Sequence, residues 1–319
     1  MGEVALLTAL RVAGPLPPAL REHVPICDQL LARLILDGLV EVRRDGRFQS
    51  GVAALQLEDG GPQPEPRGEA SRISELGLEY ALAVRHLGPD ILAERLYAFN
   101  SLPRTRREQS DATAEFAAQT SIDAGNPVPK IGGREWTVHA DPAWLYFRRG
   151  SSSGGRFKIY LSPCPQDISR VIHGFAEALG DRAGSGGVFK MAFPSEALRR
   201  PDKIVAYVPT FDALQQTLTR LVELSLNATV QAVPFSAPVP RAPLLSWGVD
   251  PPNESRDPRS SWRSWLTRQV AECAHAIPLT ETSAAALDHL RTALRWRDID
   301  PVNWLPRQQL LSRKWRLEL

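Results

Sequence analysis

The chain has 319 residues, 43% hydrophobic and 23% charged, with a formal net charge of +2, which suits a globular protein with ample core and excludes a disordered or collagen-like chain. The near-neutral balance excludes a global attraction for nucleic acid or anionic membrane and leaves any anion binding local. No apolar run reaches bilayer length, the start lacks a basic n-region, and Cys27, Cys164 and Cys273 are scattered without metal-ligand spacing, so a cytoplasmic protein with neither disulfides nor zinc is expected.

Residues 1–57 read as one module. Leu6, Ala9, Leu10 and Ala13 share a helical face, Pro15 to Pro18 break it, and Ile26, Leu30, Leu31, Leu34 and Ile35 continue at helical spacing to Gly38. The run from Leu39 to Val42 then turns around Asp45-Gly46 and returns through Phe48, a hairpin signature. Helices followed by a hairpin suggest a winged helix, a fold used for DNA binding, for docking a precursor peptide's leader, or for packing alone. Six arginines against six acidic residues over positions 1–52 lack the basic footprint of a DNA binder. Residues 58–72, rich in Gly and Pro, read as a linker, and 73–319 as a second domain with a helical tail.

In that domain, Ile73 to Leu87 and Pro89 to Phe99 are expected to be helices, and 100–135 an irregular stretch carrying Arg104, Arg106 and Arg107. The period then changes. Strands are expected at 137–139, 144–147, 156–161, 188–193 and 203–208, with helices at 165–180, 212–226, 261–276 and 283–294. The fold class expected is α+β, a central mixed sheet flanked by helices, with the winged-helix-like module at the N-terminus. No phosphate-binding loop, dinucleotide fingerprint, esterase elbow or zincin motif occurs.

Lysine usage singles out the central strands. Only five of 38 basic residues are lysine, and Lys158, Lys190 and Lys203 all fall in these runs, flanked by Arg148, Arg149, Arg156, Arg199 and Arg200. A lysine that is buried or crowded by cations loses its proton more easily and becomes a base, whereas arginine stays charged and grips phosphate through paired hydrogen bonds. Edge-strand lysines that discourage aggregation are the plain alternative.

The order Leu96-Tyr97-Ala98-Phe99-Asn100-Ser101-Leu102-Pro103, Arg156 to Leu161, Phe189-Lys190, Arg200-Pro201-Asp202-Lys203 through Val208, Trp247-Gly248-Val249-Asp250-Pro251-Pro252 and Ser261-Trp262 resembles the HopA-type effector family over roughly residues 90 to 275. Domains of that family also occur beside kinase-like proteins in class V lanthipeptide and thioamitide pathways. The resemblance implies a lyase that eliminates phosphate from phosphoserine or phosphothreonine of a ribosomal precursor peptide, giving dehydroamino acids. It implies a precursor peptide and a kinase-like protein as partners, no nucleic acid or membrane, and no metal or organic cofactor. The chain departs from the family where Phe-Thr-Lys-Pro is often found: here it reads Phe235-Ser236-Ala237-Pro238. The loss of that lysine leaves a non-catalytic subunit binding a precursor peptide or phosphopeptide as the alternative.

Elimination needs a base at Cα, stabilisation of the enolate-like charge and neutralisation of the departing phosphate. Lys190, on the most hydrophobic lysine-bearing strand, is the expected base, with Lys158 second. Arg148, Arg156, Arg199 and Arg200 are expected to bind phosphate. His139 is the expected general acid, with Tyr160 and Tyr207 as other donors, and Asp202 is expected to orient the cations beside it.

Overall fold

The computed structural model describes residues 42–44, 47–49, 68–102, 130–131, 134–150, 155–180, 187–193, 195–252, 261–307, 315 and 317. The expected helices of the first module, most of the linker, and Arg104, Arg106 and Arg107 lie outside the described residues. Within the module the hairpin is present: β1 (Val42–Arg44) pairs antiparallel with β2 (Arg47–Gln49), with Asp45-Gly46 as the two intervening residues.

Helix α1 (Glu69–Ala83) begins inside the stretch read as linker. Its turns bury Ala70, Ile73, Gly77, Leu78 and Ala81, a face set by spacing of three and four residues, so the Gly/Pro signal ends earlier than composition suggests. Helix α2 (Pro89–Tyr97) opens on the tolerated first-turn proline. A short ribbon follows, β3 (Lys130–Ile131) with β4 (Arg134–Glu135).

The remaining strands form one sheet: β5 (Thr137–Ala140), β6 (Trp144–Arg149), β7 (Phe157–Leu161), β8 (Gly187–Ala192), β9 (Ile204–Val208), β10 (Ala237–Pro238) and β11 (Leu245–Val249), in the order β10-β11-β7-β9-β8-β6-β5. The architecture is α+β as expected, but every neighbouring pair is antiparallel rather than mixed. The reason is topological. Strand β7, helix α3 (Ile168–Gly180) and strand β8 make a crossover that returns the chain two places away, and β9 fills the gap running the other way.

One sheet face is apolar. Phe147, Phe157, Ile159, Phe189, Ala206, Trp247 and Val249 are buried there, beneath α3 and helix α4 (Phe211–Glu223). Phe175 of α3 meets Phe189 edge-on at 5.9 Å, and Phe211 of α4 lies 5.8 Å from Trp247. Thr210 caps α4 by accepting from the Ala213 amide at 3.2 Å, a contact worth about 1 kcal/mol. Helices α5 (Trp262–Ala276) and α6 (Ser283–Trp296) pack with α1 and α2 at the β10–β11 end. Gly248 permits this approach: a Cβ there would stand 2.9 Å from Trp262 Cδ1 and 3.4 Å from the Tyr160 ring.

Candidate active site

Because strand side chains alternate between faces, the register gathers the chemistry-bearing residues on the face opposite the α3–α4 core. One row runs His139, Tyr146, Lys190, Val205, Tyr160, Ser246; the next runs Thr137, Arg148, Val188, Tyr207, Lys158, Gly248. Lys203 stands just before β9 on the same alternation, and its carbonyl accepts from the Ala192 amide at 2.7 Å.

Lys190 is half-buried. Its Nζ lies 3.9 Å from the centroid of the Trp144 ring and 6.0 Å from that of Tyr207, and it makes no ion pair among the described residues. Burial lowers its pKa to about 8; Asp202 opposes this, Arg200 and Lys158 add to it, and Asp141 opposes it. Lys158 has a buried side chain but pairs with Asp250, whose own side chain is about half exposed. The ring of Tyr207 stands between the two lysines, 5.9 Å from Lys158 Nζ. Burial, followed by the nearby Tyr146 and Asp250, raises the Tyr207 phenol well above its ordinary pKa.

Arg200 shares the Trp144 indole, with Cζ 4.6 Å from the ring centroid. Its Nε donates to Asp202 Oδ1 at 2.6 Å, and its Nη2 donates to Asp202 Oδ2 at 3.1 Å and to the Tyr97 hydroxyl at 2.9 Å. Nη1 carries no hydrogen bond among the described residues. Tyr97 donates to Asp202 Oδ2 at 3.1 Å. Arg263, from the first turn of α5, brings Nη1 to 2.8 Å from the same oxygen as an ion pair without hydrogen-bond geometry. Burial by itself would raise the Asp202 carboxyl, yet Arg263 and Arg200 overcome it and hold the group far below the usual carboxylate range. Asp202 orients Arg200 as expected, but its second cation is Arg263 from α5 rather than the adjacent Lys203.

Lys203 is fully buried, donating to the Pro163 carbonyl at 2.8 Å and to Gln231 Oε1. Burial lowers its pKa to about 7, against opposing charges from Cys164 and Asp202. Gln231 in turn donates to the carbonyls of Asn100 at 2.7 Å and Arg199 at 2.8 Å. This lysine ties loops together rather than facing a ligand.

The remaining candidates are spread out. Arg148 shares the lysine face but is exposed two strands from Tyr207, with Val188 between them. Arg156 is exposed and lies over the Trp315 ring at 5.3 Å. Arg199 is half-buried, its carbonyl held by Gln231 and by the Leu102 amide at 3.0 Å. His139 is exposed on edge strand β5, its ring 6.3 Å from that of Tyr146. Tyr160 is buried beside Val205 and Val233. Ala237 pairs with Trp247 on the apolar face, so a basic side chain at that position would start from the face opposite Lys190.

Sequence reasoning assigned no role to Trp144, Tyr97 or Asp250. The signal available for Trp144 was its even spacing from Tyr146 and Arg148. Asp250 gave none, because its pairing with Lys158 spans 92 positions.

No protein-family model and no curated protein matches this chain. Among solved structures it is similar to the effector protein from Pseudomonas syringae pv. tomato strain DC3000, at 12% identity and a TM-score of 0.43, over 73% of this chain and 97% of that one. It is similar at 12% identity and a TM-score of 0.42 to the effector protein from Pseudomonas syringae pv. syringae strain 61, over 73% and 96% of the two chains. A third similar structure is the phosphothreonine lyase SpvC, the effector protein from Salmonella, at 10% identity and a TM-score of 0.28, over 63% of this chain and 99% of that one.

Proposed function

We propose that this protein is a lyase that eliminates phosphate from phosphoserine or phosphothreonine in a peptide. The observation that carries the reading is the pairing of Lys190, an amine with a pKa of about 8 and no carboxylate partner among the described residues, with Arg200 on the same indole. Arg200 is steered by Asp202 through one edge of its guanidinium and keeps Nη1 for an anion.

In this reading the neutral Lys190 amine takes the Cα proton. The electron pair left on Cα forms the Cα=Cβ double bond as the Cβ–O bond breaks, and phosphate leaves with that bonding pair. Arg200 Nη1 neutralises the departing oxygens, and the charged Lys158 adds to the positive field around them. Tyr207, protonated at neutral pH and between the two amines, donates to the leaving oxygen so that hydrogen phosphate departs. Tyr207 takes this role over His139 because the histidine stands beyond Tyr146 at the sheet edge. Arg148 lies where the rest of the peptide chain would pass. Each step uses a side chain that this chain supplies, and none requires a metal or organic cofactor.

The substrate we propose is a ribosomal precursor peptide, phosphorylated first by a kinase-like enzyme, with the N-terminal module gripping its leader. The deciding experiment incubates the protein with a phosphoserine peptide and follows its mass. Loss of phosphoric acid, abolished by Lys190→Ala with binding retained, is expected. Binding of the phosphopeptide with no mass change would refute the lyase and leave a binding subunit.

A further inference from the structure

Arg263 reaches the site from outside the sheet. Its side chain is 1% exposed and it is fixed at three points: Nε donates to the Pro234 carbonyl at 3.1 Å, Nη2 donates to the Tyr97 carbonyl at 3.0 Å, and Nη1 meets Asp202. Its Cζ also lies 4.9 Å from the Tyr97 ring centroid, the ring that Arg200 approaches at 5.6 Å. Two guanidiniums therefore flank one buried carboxylate. Burying a second guanidinium for packing alone would be costly, since a charge taken out of water must be compensated. A single arginine would already neutralise Asp202.

We infer that Arg263 is a positioning residue of the anion site, taking up half of the Asp202 charge so that Arg200 keeps a net attraction for an incoming phosphate. With Arg263 absent, the whole carboxylate charge falls on Arg200, and the pair becomes a neutral dipole facing Lys190. With Arg263 present, the arrangement is cation, anion, cation, and the surplus positive charge is expressed at the end of Arg200 that Asp202 leaves open. Helix α5 in this way sets the charge of a site built on β8 and β9, although Arg263 touches neither Lys190 nor the open end of Arg200. The inference rests on reading Arg200 and Lys190 as the phosphate site.

The test uses inorganic phosphate as the probe and the chain's five lysines as reporters, their ε-carbons followed by NMR through a pH titration. Arg263→Gln is expected to weaken phosphate binding about tenfold, the size of one charge-assisted hydrogen bond. It is also expected to move the Lys190 titration upward, because Asp202 then acts on Lys190 with its full charge. Arg263→Lys, which restores the charge, is expected to return both readings toward wild type, which a purely structural role would not do. If Arg263→Gln does not fold, Arg263→Met keeps the packed stem, loses the charge together with the two carbonyl hydrogen bonds, and carries the same two readings. A folded variant without the charge whose phosphate affinity and Lys190 titration match wild type overturns the inference. A wild-type protein that binds no phosphate overturns the phosphate-site reading instead, while the Lys190 titration in the variants still decides whether Arg263 acts through Asp202.

Discussion

Replacing Lys190 by arginine separates charge from proton acceptance. Burial brings the Lys190 amine from the ordinary 10.5 to about 8, so at pH 7 roughly one molecule in ten carries a free amine, against about one in three thousand for an ordinary lysine. The fold thus supplies roughly 300 times more base at neutral pH. The sign follows directly: the base works unprotonated, so turnover rises about tenfold per pH unit below 8 and levels above it. Phosphate monoesters finish ionising near pH 6, so the limb between about 7 and 9 belongs to the amine. Lys190→Arg keeps a cation over Trp144 but cannot give up its proton, and kcat is expected to fall by about 10²–10⁴ with phosphopeptide binding retained. Intact-mass measurement of phosphoric acid loss across this pH range, with KM taken at each point, provides the check. A variant turning over like wild type, or a wild-type limb still climbing toward the ordinary lysine value, would refute the reasoning.

Lys203 gives a stability prediction. Its folded pKa of about 7 lies below the ordinary 10.5, so between these values the unfolded chain binds more protons and stability rises with pH. Lys203→Met should remove that slope in urea unfolding while costing about 1–3 kcal/mol for each orphaned oxygen at Pro163 and Gln231; an unchanged slope would place the titration elsewhere. Gly248→Ala forces Trp262 off the sheet and is expected to cost about 1–3 kcal/mol, read as a lower unfolding midpoint. Asp250→Asn leaves the Lys158 ammonium unpaired and adds net positive charge to the lysine face. Phosphate binding should tighten, most clearly at low salt, and a weaker or unaltered affinity would count against Lys158 contributing to the field.

Alternation along 156–161, 188–193 and 203–208 was enough to place Lys158, Lys190 and Tyr207 on strands, and the helical spacing of Ile168, Val171, Ile172 and Phe175 was enough for α3. Lysine scarcity among many arginines pointed to Lys158, Lys190 and Lys203 together, and the hydrophobicity of its strand alone set Lys190 apart. Strand β11 escaped notice although Leu245, Trp247 and Val249 alternate with Ser246 and Gly248, because Gly248 and the prolines Pro243 and Pro251 read as turn signals. The start of α1 was hidden by the Gly/Pro-rich stretch before it. Neighbours across the sheet were beyond reach for a different reason. Periodicity assigns a residue to a face, but which strand lies beside it depends on how loops and crossovers close. The sequence by itself therefore determined which strand residues share a face and the local Arg200–Asp202 pair. Only the tertiary structure decided that β9 separates β7 from β8, that Asp250 takes Lys158, and that Arg263 joins Asp202 from 61 positions away. Such contacts form where chain ends are brought together by burial of the whole core, an energy spread over many residues and written in no single stretch of them.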